Sequence, residues 1–354
     1  FYSIIYGATN IEAADNSLLA GTDDRLFVRQ LSNLITGRTP QGGSVVLTID
    51  PALQEAAYKA LAGRKGAVVA VDPSTGAILA LVTSPSYDPN VLSSHDDASV
   101  TKAWKSLQPD VDPDDPMLDR ALNQTYPPGS TFKLITAAAA LSSGQYKPQS
   151  TIPAPTTLPY PNSSLSLKNF EGETCGDGKT TTLIDALTIS CNTAFGQLGQ
   201  TLGEAALQKQ ADAFGFDSKF SLPLNSAQSV FPIDLDAAQT IQSAIGQYDV
   251  RSTPLQMAMV AAAIANGGVL MKPYLVKQLV GPDLAVIDTT KPTVIRQAVS
   301  SQVAAELTTM MESVVDKGTG TTVRIPGVKI AGKTGTAENA EGKPPHAWFV
   351  AFAP

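Results

Sequence analysis

The sequence predicts an α/β domain of the α+β type, helical in its middle and strand-rich at both ends. Near the start, apolar runs at 67–71 and 77–82 flank Asp72-Pro73-Ser74-Thr75-Gly76 and read as a hairpin covered on both faces. Ala-rich stretches with helix stops fill residues 131–315, and two strand patterns at 327–336 and 346–352 close the chain. That order fits terminal segments sharing one sheet among helical layers.

Taken in order, residues 1–45 are mixed and carry no self-sufficient core, and Thr39-Pro40-Gln41-Gly42-Gly43 reads as a loop. A strand at 44–49 leads into Asp50-Pro51, an N-cap followed by proline at the first helical position. The helix then runs over 52–62 and stops at Gly63. Residues 84–128 are rich in Pro, Asp and Ser and are expected to be loop. Within them Asp110–Asp115 superficially resembles a calcium loop, but its sixth position is Asp115 instead of Gly and its twelfth is Ala121 instead of Glu. Helices are expected at 131–141, 181–202, 204–214, 253–265 and 304–315, with loop over 150–180.

Composition narrows the function. The chain is 43% hydrophobic and 16% charged with net charge −7, and no Lys/Arg run marks a nucleic-acid partner. No apolar run reaches the roughly 20 residues of a membrane-crossing helix. The start, Phe1-Tyr2-Ser3-Ile4-Ile5-Tyr6-Gly7, has no initiator Met and no signal-peptide pattern, so it reads as the interior of a longer chain. Two cysteines and two histidines (His95, His346) do not make a Cys/His zinc site, and no metal or cofactor is expected. Cys175 and Cys191 are either two buried thiols or one disulfide.

Three short motifs carry chemistry. In Pro127-Pro128-Gly129-Ser130-Thr131-Phe132-Lys133 a helix begins beside Ser130, and Lys133 lies one turn on, on the same face. A hydroxyl at a helix N-terminus favours developing negative charge, and a buried, neutral amine one turn away can take its proton. Ser190-Cys191-Asn192 offers a hydroxyl for proton relay and an amide for a peptide carbonyl, inside or ending a helix. Lys333-Thr334-Gly335-Thr336 sits in a strand, with Lys333 and Gly335 on one face and Thr334 and Thr336 on the other. Its lysine and hydroxyls suit a carboxylate, and Gly335 would let a substrate backbone approach. Each motif alone is weak; the ordered set is strong.

Ser-x-x-Lys, Ser-Asp-Asn and Lys-Thr-Gly occur together in class A β-lactamases and penicillin-binding proteins. The chain resembles class B penicillin-binding proteins more widely, over about residues 44–354. The matching stretches include Leu47-Thr48-Ile49-Asp50-Pro51, Ala70-Val71-Asp72-Pro73-Ser74-Thr75-Gly76, Ile245-Gly246-Gln247, Thr253-Pro254-Leu255-Gln256-Met257-Ala258 and His346-Ala347-Trp348-Phe349-Val350-Ala351-Phe352-Ala353-Pro354. With Ser-Cys-Asn as second motif it is most similar to the actinobacterial penicillin-binding protein A type.

The resemblance implies a penicillin-binding transpeptidase, serine β-lactamase-like fold: an antiparallel sheet covered by helices, plus an all-helical subdomain. Residues 1–43 would be the remnant of an amino-terminal non-catalytic module and 44–354 the transpeptidase domain, short of its last strand and carboxy-terminal helix. The implied reaction is peptidoglycan cross-linking. Ser130 attacks a D-Ala-D-Ala stem peptide, Lys133 is the base, Ser190 relays the proton and Asn192 binds the substrate amide. Lys333, Thr334 and Thr336 hold the carboxylate, and the Ser130 and Thr336 N–H groups form the oxyanion hole. A side-chain amine of a neighbouring stem peptide accepts the acyl group, and β-lactams act as donor mimics. The implied setting is the extracytoplasmic face of the bacterial membrane, with an amino-terminal anchor in the longer protein and other cell-wall synthesis or division proteins as partners. That oxidising setting favours a Cys175–Cys191 disulfide.

Rival readings fare worse. A class A β-lactamase needs a deacylating Glu, yet the only similar string, Ser221-Leu222-Pro223-Leu224-Asn225, has Ser in its place. The class B features argue against a D,D-carboxypeptidase, and the intact motifs against a non-catalytic penicillin sensor. A Ser-His-Asp hydrolase lacks Gly-x-Ser-x-Gly, and His346 reads as a strand residue that either faces the cleft or, the favoured reading, packs.

Overall fold

The computed structural model describes residues 1–26, 35, 41–107, 114–338, 342 and 344–353. Thr39, Pro40, Asp110–Pro113 and Pro354, which figure in the readings above, lie outside the described residues. The chain divides into two compact units, one of 1–124, 220–227 and 272–293, the other of the remaining segments.

In the first unit, strand Ser44–Leu47 pairs antiparallel with Val276–Val280, which pairs in turn with Val286–Thr289. Leu18 and Leu26 are buried against Leu279 of this sheet, beside Val45, Val276 and Ile287. The amino-terminal stretch therefore gets its core from strands far along the chain, which is why it shows none of its own. Asp50 caps helix Pro51–Leu61, its carboxylate accepting the Ala52 and Leu53 N–H groups at 2.8 and 3.1 Å. The helix ends one residue before the expected glycine, because Ala62 itself takes the left-handed conformation (φ 48°). Gln54 donates to Leu81 O and accepts from Leu81 N–H, both at 2.8 Å, tying this helix to the hairpin Gly66–Val71/Ile78–Ser84. Strand Ile78–Ser84 alternates buried and half-buried residues, whereas Gly66–Val71 is half-buried throughout, short of the full cover expected on both faces.

The expected loop over 84–128 contains a helix, Asp97–Leu107. Its polar composition hides the signal: only Val100 is buried, and Trp104, one turn on, stacks on Tyr6 at 4.1 Å between ring centroids.

The second unit is built around α1 (Lys133–Ser142), preceded by the 3-10 turn Gly129–Phe132; every residue of α1 from Lys133 to Leu141 is buried. Against it pack α3 (Asn192–Leu202), Glu204–Ala213 and α4 (Ser301–Lys317), while α2 (Leu183–Thr188) packs on α4. Strands β1 (Ala331–Ala337) and β2 (His346–Phe352) form an antiparallel hairpin in which Lys333 faces Val350 and Thr336 faces Ala347. Along β1, Lys333 and Gly335 are buried while Thr334 and Thr336 lie on the more open side. β2 has the bounds read from the sequence.

Two expectations are corrected here. The helix expected over 181–202 is two helices, because Ser190 turns the chain with φ 61° between α2 and α3. The expected loop over 150–180 holds two short pairings, Thr151–Pro153 with Thr180–Thr182 and Thr157–Pro159 with Ser166–Lys168. Three-residue strands are too short to show a period. Among the described residues every ladder is antiparallel, and the hairpins near the two chain ends form separate ladders.

Candidate active site

Three segments meet at Ser130 because glycines let their backbones touch. Gly129 donates its N–H to Gly246 O at 2.9 Å. Gly246 has φ 75°, and a Cβ there would lie 2.2 Å from Gly129 O. Gly129 has φ 52°, and its Cβ would lie 2.5 Å from Thr336 O in β1. Gly335 packs closely on its Cβ side, where an added Cβ would meet the Thr131 methyl and the Trp348 Cβ at 2.8 and 2.9 Å. The missing side chain lets β1 seat on the Ser130 turn. Trp348 Nε1 donates to Pro127 O at 3.0 Å, clamping β2 to the same turn. His346 packs edge-on against Tyr126, as the sequence suggested, with ring centroids 5.0 Å apart.

The polar centre lies beneath this turn. Lys133, the first residue of α1, aims Nζ at the Ser190–Asn192 corner, donating to Ser190 O at 2.7 Å, Ser190 Oγ at 3.2 Å and Asn192 Oδ1 at 2.7 Å. From β1, Lys333 Nζ donates to the same Ser190 Oγ at 2.9 Å and to Thr334 O at 2.8 Å. Both lysines are 0% exposed. Burial, with the Lys333 charge second, pushes Lys133 well below the ordinary lysine value; burial pushes Lys333 down to about 7. A buried ammonium is costly unless strongly paired, so both amines shed their protons readily. A hydroxyl held between them can pass a proton from one to the other.

Local structure holds the corner. The left-handed Ser190, a conformation that costs a non-glycine residue of order 1–3 kcal/mol, presents both its carbonyl and its hydroxyl to Lys133. Cys191 is bonded to Cys175 in a disulfide, their Cα atoms 6.2 Å apart. Asn192 Nδ2 donates to Lys168 O at 3.1 Å. The Thr334 hydroxyl hydrogen-bonds that of Thr319, beyond the end of α4. The hydrogen-bond cluster thus joins Lys133, Ser190, Asn192 and Lys333, with Ser130 one turn from Lys133 and Thr336 against Gly129. Sequence reasoning missed Lys168 and Thr319, which hold Asn192 and Thr334 but belong to no motif. Among the described residues, no group of His, Cys, Asp or Glu is arranged to bind a metal ion.

A serine one turn from a buried lysine, with a second serine and lysine closing the circuit, defines a serine acyl-transfer site. The chain belongs to the family defined by the penicillin binding protein transpeptidase domain, which matches residues 66–354. Residues 1–45 match the penicillin binding protein A dimerisation domain.

Its relatives are specific. The chain is 49% identical to the peptidoglycan D,D-transpeptidase PbpA of Mycolicibacterium smegmatis, over 100% of this chain and 73% of that protein. Identity and coverage are the same for PbpA of Mycobacterium tuberculosis. Among solved structures it resembles penicillin-binding protein A from M. tuberculosis in its ceftriaxone acyl-enzyme complex, with TM-score 0.95 and 48% identity, covering 100% of this chain and 80% of that one. The D,D-transpeptidase domain of an Eggerthella lenta peptidoglycan glycosyltransferase is similar at TM-score 0.86 and 35% identity, over 100% and 81% of the two chains.

Proposed function

We propose that the peptidoglycan D,D-transpeptidase reaction of this chain runs through an acyl-enzyme on Ser130. The observation that carries this reading is the convergence of Lys133 and Lys333 on Ser190 Oγ, at 3.2 and 2.9 Å, beneath the Ser130 turn. Ser130 Oγ attacks the carbonyl of the penultimate D-Ala, and neutral Lys133 takes its proton. The proton passes by Ser190 to the leaving nitrogen as the C–N bond breaks and terminal D-Ala departs. The amine of a second stem peptide then attacks the ester, forms the cross-link and returns Ser130 to its hydroxyl.

Asn192 supplies its remaining amide N–H to the donor peptide. Lys333, Thr334 and Thr336 take the terminal carboxylate. The Ser130 and Thr336 N–H groups hold the developing oxyanion, a role supported by the approach of Gly129 to the Thr336 backbone. β-Lactams present the same carbonyl and acylate Ser130, as ceftriaxone and penicillin G do in the related acyl-enzyme complexes.

The substrate places the reaction on the extracytoplasmic face of the membrane. Among the described residues no helix is long and apolar enough to cross it. We assign residues 1–43 to the end of an amino-terminal module and 44–354 to the catalytic domain. Cell-wall synthesis or division proteins are the expected partners; a chain 31% identical to this one has been solved within a peptidoglycan synthase complex.

Intact mass spectrometry after penicillin, followed by peptide mapping, tests this reading. One adduct on Ser130 lasting many minutes is expected. Rapid nitrocefin turnover would make the chain a lactamase, and release of D-Ala without cross-linking a carboxypeptidase.

A further inference from the structure

We infer that Asn169 is a positioning residue for the Ser190–Asn192 corner, capping from outside the helix that carries Asn192. This rests on the role of Asn192 given above. Asn169 stands at the start of the 3-10 turn Phe170–Gly172, where an asparagine side chain ordinarily accepts an N–H of its own turn, yet its Oδ1 accepts none there. Instead its Oδ1 accepts the Thr193 N–H at 3.0 Å, and its Nδ2 donates to Glu173 O at 2.9 Å.

Thr193 is the second residue of α3, so this N–H is one of those a helix leaves without an internal partner. Cys191, at the cap position, accepts no backbone N–H of the helix, its sulfur being bonded to Cys175 and lying against the Thr193 hydroxyl at 3.6 Å. Thr193 is 0% exposed, so water is no substitute. Asn169, itself buried, supplies the missing acceptor from 24 positions back.

Its neighbours complete the grip. The Lys168 carbonyl holds Asn192 Nδ2 at 3.1 Å. Leu167 fills the notch at Gly196, where an added Cβ would come within 2.8 Å of its Cδ2. Three consecutive residues, 167–169, thus fix three points on the first two turns of α3. The first of those turns carries Asn192, whose Oδ1 holds Lys133 Nζ at 2.7 Å. Without the cap that turn loosens, and Lys133 loses a fixed partner while the reacting groups stay intact.

The test compares N169A with N169D in the full chain. Asp keeps an acceptor at the helix N-terminus, where negative charge is favoured; Ala keeps none. Pre-steady-state acylation by nitrocefin separates initial binding from the acylation rate constant. N169A should lower that rate constant about five- to tenfold, the scale of one lost N-cap bond. Initial binding should stay within about twofold. N169D should recover most of the rate. Full acylation by N169A, or N169D falling as far as N169A, overturns the inference. If N169A fails to fold, N169S replaces it, its hydroxyl being too short to reach Thr193. A wild-type adduct mapping away from Ser130 would remove the reading of the site itself, whereas a Ser130 adduct with an unaffected N169A removes only this inference.

Discussion

Lys133 and Lys333 are joined through one hydroxyl: both Nζ atoms hydrogen-bond Ser190 Oγ, from a helix and a strand 200 residues apart in sequence. Two buried amines this close cannot both stay charged cheaply, and that electrostatic fact sets the pH behaviour of the site.

Acylation should therefore rise with pH to a plateau reached well below the ordinary lysine value of 10.5, because Lys133 is pushed down chiefly by burial and secondly by Lys333. Lys333→Met removes the second cause and should move the midpoint to higher pH. The check is the second-order nitrocefin acylation rate against pH, and an unmoved midpoint would contradict the coupling.

The same burial links stability to pH. Lys333 titrates near 10.5 in the unfolded chain and at about 7 when folded. Between those values the unfolded chain holds more protons, so this group's contribution to stability rises as pH climbs from about 7 to about 10.5. Wild type should gain on Lys333→Met over that window in chemical denaturation at several pH values. A constant difference would mean that the amine is not buried.

Lys133→Ala should cut acylation by roughly 10²–10⁴, the usual worth of a general base, while the variant still binds penicillin non-covalently. Stopped-flow acylation decides it; an unchanged rate would assign the base elsewhere.

Gly246→Ala and Gly144→Ala make a matched pair. Both residues have positive φ, at 75° and 73°, but an added Cβ meets Gly129 O at 2.2 Å in the first and nothing within 4 Å in the second. Gly144→Ala should lose only the conformational term, about 1 kcal/mol, with normal acylation. Gly246→Ala should lose more and acylate slowly, because Gly129 must move. Equal effects in thermal melts and acylation assays would show that the Ser130 turn is not held by this contact.

The disulfide closes a loop of 16 residues, which stabilises by roughly 3 kcal/mol in the chain-entropy view. Denatured, unreduced protein should titrate no free thiol, and reduction should lower the denaturation midpoint. Two free thiols in that titration would refute the pairing.

Much of the local structure was legible. Asp50-Pro51 starts a helix because a carboxylate can satisfy N–H groups two and three residues away, and that information is contained in adjacent letters. The apolar run His346–Phe352 gives a strand with the bounds it suggests. Asp97–Leu107 was missed although Val100, Trp104 and Leu107 recur at helical spacing, because the Pro-, Asp- and Ser-rich stretch around it reads as loop. Ser190 was hidden for another reason: its left-handed turn has neither Gly nor Pro to announce it.

By itself the sequence determined the chemical inventory and its short-range geometry: a serine and a lysine one turn apart, and a lysine and threonines alternating along a strand. Only the tertiary structure decided that Lys133 and Lys333 share Ser190, that Gly335 lies against Thr131 and Trp348, and that Asn169 caps a helix it does not precede. The physical reason is that periodicity reports which face of a segment is buried, never what is buried against it. Depressed lysine pKa values and borrowed helix caps depend entirely on that partner.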